Sequence, residues 1–426
     1  MDNVKKKFNY SWVIISISTL MVCVVLGFCS SSKSLYLKPI TDALKIDRSL
    51  FSVNDSCRYV TTAIVNLFFG YLIVRYGAKK LIGAGFICLI SSCLIYSFAT
   101  NIFVFYLGGV LLGMGLSWTT TTMVGYVVNK WCRGSRGTIM GVILASNGIG
   151  AAVATQVLSP IINQTALGYQ NAYRLVALLL LIVFVLVMVL FKNKPMDTEE
   201  ESTDAPKKKG RGQSWEGVEY NSAVKKAYFY SALICIFLTG MMLQGVTGIA
   251  AAHMDDCGID AAYVALVLSA HSLALTLFKF LAGFLYDRLG LRFTSNICMV
   301  TAVVTFLLLA NVADTPTGRA FAIIYGVLSS LSLPLETIML PIYASDLFGE
   351  KSFSKILGLF VSVNTAGYAL GAPISNLCFK WTGSYNVSLY VSCVLMFGVI
   401  ITMNFVITSA NRQRKAVMQL QADKQI

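Results

Sequence analysis

Lys279 interrupts the apolar stretch LTLFKFLAGFLYDRLGLR (275–292), and Glu336 interrupts LSLPLETIMLP (331–341). An ionisable group at mid-bilayer costs at least ~2.5–3.5 kcal/mol, so it usually faces a cavity and a partner. Lys279 precedes Asp287 by eight residues, ~12 Å of helix, and Glu336 precedes Asp346 by ten, ~15 Å. The matching depths predict that Lys279 and Glu336 pair when the site is empty, each reducing the other's burial cost. A bound carboxylate or a proton would then compete for one member and couple occupancy to conformation. A static pair, or a lysine snorkelling to the inner surface, is the structural alternative.

Other residues carry weaker signals. Lys33, in FCSSSKSLYLKPI (28–40), falls near the outer boundary, where a lysine can also snorkel. Asp55 and Arg58 are three apart, a helical ion-pair spacing; a cavity-lining Arg58 is the alternative. His271 lies sixteen residues before Asp287, and its imidazole would titrate near neutral pH, giving it a minor coupling role. In SWTTTTMVGY (117–126), Trp118 and Thr122 are four apart and would share one helix face toward a cavity. Most of the other hydroxyls should bond to carbonyls of their own helix. Pro334 and Pro341 flank Glu336 and predict a bend there.

The elements that must position these residues are membrane helices. Of 426 residues, 56% are hydrophobic and only 13% charged, about half the charge of a soluble domain. Apolar runs long enough to cross ~30 Å of hydrocarbon give twelve spans, near 10–38, 50–75, 80–100, 103–128, 136–163, 171–192, 226–252, 261–287, 293–313, 318–345, 354–379 and 385–409. The expected class is an all-α polytopic membrane protein: a six-helix bundle over 1–192, a charged linker at 193–225, a second bundle over 226–410 and a tail at 411–426. The linker, rich in charge with Pro, Gly and Ser, reads as mobile. Most of the 34 Lys and Arg fall on the side of the termini, while Lys38, Lys45, Arg48, Arg174, Arg319 and Lys380 fall opposite. Both termini should therefore be cytoplasmic, in a cell membrane of bacterial inner-membrane type. The net charge of +14 follows from that asymmetry and implies no nucleic-acid partner. Eleven cysteines form no CxxC or Cys/His cluster, so neither a metal site nor a disulfide framework is expected.

The halves repeat one another. GYLIVRYGAKK (70–80) and GFLYDRLGLRF (283–293) each follow the second span of their half. SRGTIMGVILASNGIGAA (135–152) and FSKILGLFVSVNTAGYAL (353–370) each open a fifth span, and Asn147 aligns with Asn364. The chain resembles the major facilitator superfamily over essentially its whole length. The carrying motif, G-x-L-x-D-R-x-G-R/K, reads Gly283, Leu285, Asp287, Arg288, Gly290 and Arg292 in the second half. The first half keeps Gly70, Leu72, Arg75, Gly77 and Lys79 but has Val74 at the acidic position. The resemblance implies a conformational latch at these residues, with Asp287 and Arg288 pairing across the bundles.

Within that superfamily, SKSLYLKPI is similar to the segment of monocarboxylate transporters whose lysine, here Lys33, binds carboxylate and proton. The Asp-x-x-x-Arg pair of their eighth span corresponds to Leu275 and Lys279, so the cation is kept and the carboxylate lost. Glu336 is the substitute candidate. The oxalate/formate antiporter group is also similar, but its eleventh-span cation is replaced here by Asn364 and Thr365, which favours a monoanion. The resemblance implies a secondary transporter of a small organic anion, with Lys33, Lys279, Asn364, Trp118 and Thr122 at the substrate and Glu336 and His271 in coupling. A proton or an exchanged anion would drive it, and the fold usually works as a monomer. No cofactor, catalytic constellation or nucleotide-binding loop is evident. The alternatives are an exporter of hydrophobic compounds and a non-transporting receptor.

Overall fold

Helices thread back and forth through the computed structural model, which describes residues 10–46, 48–132, 135–164, 167–192 and 217–423. No strand occurs among the described residues. A chain this apolar must satisfy its backbone N–H and C=O groups internally, and a helix does so within one segment. The first span is Ser11–Cys29, continued through a 3₁₀ turn at Ser31–Lys33 into Ser34–Leu44. The second is Arg48–Leu67 with Phe69–Tyr76, the third Ala78–Phe98, and the fourth Ile102–Thr119 with Thr121–Trp131. Arg136–Gln164 and Gly168–Leu190 complete the first half. The second half comprises Ala227–Asp256, Ala261–Leu289, Leu291–Ala310, a three-piece tenth span, Phe353–Thr382 and Asn386–Asp423.

Packing repeats as the sequence does. In the first half the first span lies on the fifth, the second on the fourth, and the third on the sixth; the same pairs recur six spans later. Small residues bring these helices together. A Cβ on Gly27 would sit 2.4 Å from the Gly150 carbonyl carbon, and one on Gly371 would sit 2.2 Å from the Met241 oxygen. The bundles meet where the fifth span packs on the eighth and the second on the eleventh. Asn101, Asp260 and Thr315 cap the fourth, eighth and tenth spans by accepting from Val104, Tyr263 and Gly318 N–H. Such caps stabilise a helix by about 1 kcal/mol. All three lie at the end opposite the chain termini, here called the distal end; the other is the terminal end.

Three local features depart from the expected elements, and a fourth, the bend of the tenth span, agrees with them. The second span bends by 60° at Phe68, where the Asn66 side chain takes the Thr62 carbonyl and competes with the backbone ladder. The fourth breaks at Thr120, whose backbone (φ −120°, ψ −136°) is not helical. The tenth divides into Pro316–Ser332, Pro334–Thr337 and Met339–Phe348, as its prolines predict. The twelfth runs on to Asp423 instead of ending near 409, because NRQRKAVMQLQAD contains no breaker. Residues 193–216 of the linker lie outside the described residues. Its end is docked: Val218 N–H donates to Phe348 C=O at 3.0 Å, and Lys351 lies 2.8 Å from Glu219. The hydrogen bond from the Lys351 ammonium and its charge hold the Glu219 carboxyl below the usual carboxylate range.

Candidate functional site

The tenth span gives the site its acid. Pro334 and Pro341 cannot donate to the helical ladder, so the chain around Glu336 forms a single isolated turn. Glu336 is 4% exposed, and its Oε2 accepts from Gln244 Nε2 of the seventh span at 2.8 Å. Its Oε1 is buried with no well-aligned hydrogen bond among the described residues, and the Tyr368 phenol lies beside the carboxyl. The eighth span gives the cation. Lys279 is 6% exposed, and among the described residues no acceptor lies within ion-pair reach.

Both residues line a cavity of about 300 Å³ between the bundles, the lower end of the range for small-molecule sites. Arg58, Asn66, Thr122 and Asn147 contribute from one bundle, and Gln244, Asn364 and Tyr368 from the other. Lys279 and Glu336 do not pair directly in this conformation, contrary to the sequence expectation. Both border the same cavity, but Gln244 already occupies one carboxylate oxygen. The two border one cavity from neighbouring spans of one bundle without an ion-pair contact.

The remaining candidates separate. Asn364 lines the cavity and donates Nδ2 to Ile236 C=O at 3.1 Å. Thr122 lines it too, its hydroxyl donating to Asn66 Oδ1 at 3.0 Å. Trp118 does not; it packs beside Gly85 of the third span. The break at Thr120 changes the register, so counting four residues from Trp118 to Thr122 no longer keeps one face. Thr119 and Thr120 bond to carbonyls of their own helix, as expected. His271 also stays out of the cavity lining. Its Nδ1 meets the Ser329 and Ser330 hydroxyls at 2.9 and 3.0 Å, tying the eighth span to the tenth. The Lys33 backbone closes the 3₁₀ turn, while its side chain lies outside the described residues.

Arg58 is the lining residue that the sequence reading undervalued. Its pairing with Asp55 is present at 3.4 Å, yet the guanidinium is buried and forms part of the cavity wall. Tyr59, Asn66, Gln244 and Tyr368 were not singled out either. Amides and phenols recur throughout the spans, and only convergence on one volume distinguishes these.

At the terminal end the two bundles are in direct contact. Asp287 accepts from the N–H groups of Gly137 and Thr138 at 3.1 and 2.8 Å, so a carboxylate of one bundle caps the fifth-span N-terminus of the other. A Cβ on Gly283 would sit 2.1 Å from the Gly137 oxygen, and one on Gly70 2.5 Å from Lys355 Cα. Gly77 and Gly290 hold φ near +77° and +84°, which favours glycine. Arg136 reaches Glu350 at 2.7 Å across the seam. Of the two residues expected to reach across the bundles, Asp287 does and Arg288 does not: Arg288 is exposed and stacks on Phe284 of its own helix. It points outward because Asp287, one residue earlier, already faces the seam. Arg75 bonds to Tyr71, and Arg292 donates to Asn404 at 2.8 Å, each within its own bundle. Val74 is 64% exposed and caps nothing.

Two repeats of six spans, enclosing a polar cavity and latched at one end, define a membrane transport protein. The family model described as Major Facilitator Superfamily matches residues 19–248 and 232–421, and the chain belongs to that family. It is 24% identical over 400 residues to the uncharacterized MFS-type transporter YcxA of Bacillus subtilis (strain 168), covering 91% of this chain and 93% of that one. It is 26% identical to Monocarboxylate transporter 13 of Bos taurus, covering 78% and 75%. Among solved structures, FucP in the outward conformation superposes with a TM-score of 0.70 at 14% identity, covering 93% and 99%.

Proposed function

We propose that this transporter carries a small organic monoanion, a monocarboxylate, by alternating access. The reading is carried by Lys279, a buried ammonium that borders the cavity with no described protein acceptor. A buried charge of this kind is strongly disfavoured unless something balances it, and a carboxylate does so best. Similarity to a monocarboxylate transporter supports the same class.

The remaining charges suggest the coupling. Arg58 is balanced by Asp55, leaving Lys279 and Glu336. With Glu336 ionised the cavity is neutral; with Glu336 protonated it is positive by one, the charge a monoanion cancels. Entry of one proton and one monoanion together is then favoured over entry of either alone. Lys33, placed by resemblance, would add to the attraction, and exchange for a second anion needs the same site.

The terminal end is assigned to the cytoplasm on its excess of Lys and Arg, so the latched state faces outward. Closure around ligand would break the Asp287 and Arg136 contacts and let the bundles rock. An exporter of purely hydrophobic compounds fits less well, since the ionisable side chains Arg58, Lys279 and Glu336 all border the cavity.

The test is uptake into proteoliposomes competed by lactate, pyruvate, formate, oxalate and acetate, with and without an inward proton gradient. Monocarboxylates should compete and the gradient should accelerate uptake, while Lys279→Met should reduce it at least 100-fold. Undiminished uptake in that variant would remove the basis for an anion.

A further inference from the structure

Glu336 belongs to the second bundle, yet its surroundings reach the first. The Tyr368 phenol of the eleventh span lies beside the Glu336 carboxyl. Its ring meets that of Tyr59, on the second span, edge-on, with centroids 6.2 Å apart and planes at 84°. Tyr368 is fixed to the body that carries Glu336. A Cβ on Gly367 would sit 2.4 Å from the Phe237 oxygen, and one on Gly371 2.2 Å from the Met241 oxygen, so these turns of the eleventh span pack hard on the seventh. The seventh span also supplies Gln244 to Glu336.

The two tyrosines also continue a line of contacts between the bundles. From the terminal end, the second and eleventh spans touch at Gly70 and Lys355, then at Asn66 and Gly358, where an added Cβ would sit 2.4 Å from the Asn66 oxygen. Next, Ser362 donates to Ala63 C=O at 2.7 Å. The Tyr59–Tyr368 contact follows, and it is the one of the four with both members in the cavity wall. An ionised carboxylate holds a hydroxyl donor roughly twice as strongly as a neutral acid does. The fit of Tyr368 against Tyr59 therefore depends on the Glu336 proton.

Resting on the reading that Glu336 carries the coupling proton, we propose that Tyr368 is a positioning residue that conveys the state of Glu336 to the first bundle through Tyr59. With Glu336 ionised, the phenol donates to the carboxylate and the ring stays against Tyr59, which holds the second–eleventh seam together. With Glu336 protonated, that hold weakens and the seam loosens, so the population shifts toward separation of the bundles at the terminal end. The other charged groups at this cavity are Lys279 of the eighth span and Arg58 of the second, the latter paired with Asp55. The fourth, fifth and seventh spans present the neutral Thr122, Asn147 and Gln244.

The test is pulsed dipolar distances between labels at Lys80 and Leu289 in the full-length protein, with the native cysteines replaced, in lipid nanodiscs without substrate. Spectra are compared at about pH 5 and about pH 9, a range that spans most carboxyl titrations in proteins. With no further substitution the distances should lengthen at acid pH, and Glu336→Gln should abolish most of that shift. Tyr368→Phe should remove about half or more of the part that Glu336→Gln abolishes, as loss of the charge-assisted hydrogen bond implies. Tyr59→Ala should do the same, while Tyr59→Phe, which keeps the ring, should not. A smaller loss in Tyr368→Phe, or a full shift in Tyr59→Ala, overturns the inference. If Tyr368→Phe is not monodisperse, Tyr59→Ala against Tyr59→Phe decides. Failure of the underlying reading looks different: the distances do not respond to pH at all, or Glu336→Gln responds in full, which would assign the response to groups outside the cavity such as His271 or Asp346.

Discussion

At the scale of single residues, the site is defined by groups left incomplete. Glu336 is held by Gln244 through one oxygen, while the other has no well-aligned donor among the described residues, and the proposed coupling makes this the group that gains and loses a proton. Glu336→Gln keeps the shape and mimics the protonated form. It should make net uptake independent of the proton gradient while anion exchange across symmetric membranes persists. Gradient-driven accumulation equal to wild type in this variant would exclude Glu336 from coupling. Thr122 and Asn66 test structure rather than transport. Among the described residues the Thr122 hydroxyl alone donates to Asn66 Oδ1, so Thr122→Val should leave that oxygen unpaired at about 1–3 kcal/mol, seen as a lower Tm in detergent.

At the scale of elements, breaks in helices do as much as the helices. The prolines of the tenth span isolate Glu336 on one turn, and the Thr120 break turns Trp118 away while leaving Thr122 at the cavity. The latch depends on close approach between the fifth and eighth spans. Gly283→Val cannot fit against Gly137, so it should hold the terminal end open. Pulsed dipolar distances between labels at Lys80 and Leu289, in a background with the native cysteines replaced, should lengthen; an unchanged distance would mean that the seam is not the closing surface. Val74 is the complementary case. Its counterpart Asp287 caps the fifth span, whereas the eleventh span begins at Ser352 with no side-chain cap. Val74→Asp should restore that contact, favour the latched state and shorten the same distance distribution.

At the scale of the molecule, one bundle repeats the other, and the site belongs to neither. Arg58 and Thr122 come from the first half, Lys279, Glu336 and Asn364 from the second, and the cavity exists only where they face each other. Charge asymmetry between the two ends supports the proposed orientation with both termini in the cytoplasm. Protease added outside right-side-out vesicles should spare an epitope at the C-terminus and reach it only after permeabilisation. Cleavage without permeabilisation would invert the assignment and make the latched state inward-facing.

The sequence by itself determined the twelve spans, their pairing as repeats and the depth of Lys279 and Glu336, because hydropathy, internal symmetry and helical rise are all local or periodic properties. It also placed the bend of the tenth span, since a proline acts on its own backbone. Tertiary structure alone decided which polar groups converge. A helix presents residues on every side, and a break such as that at Thr120 resets which side faces inward, so linear spacing could not exclude Trp118 or promote Arg58. Nor could it show that Asp287 caps a helix of the other bundle. The acceptors there are backbone N–H groups, which every residue but proline carries and no sequence pattern marks.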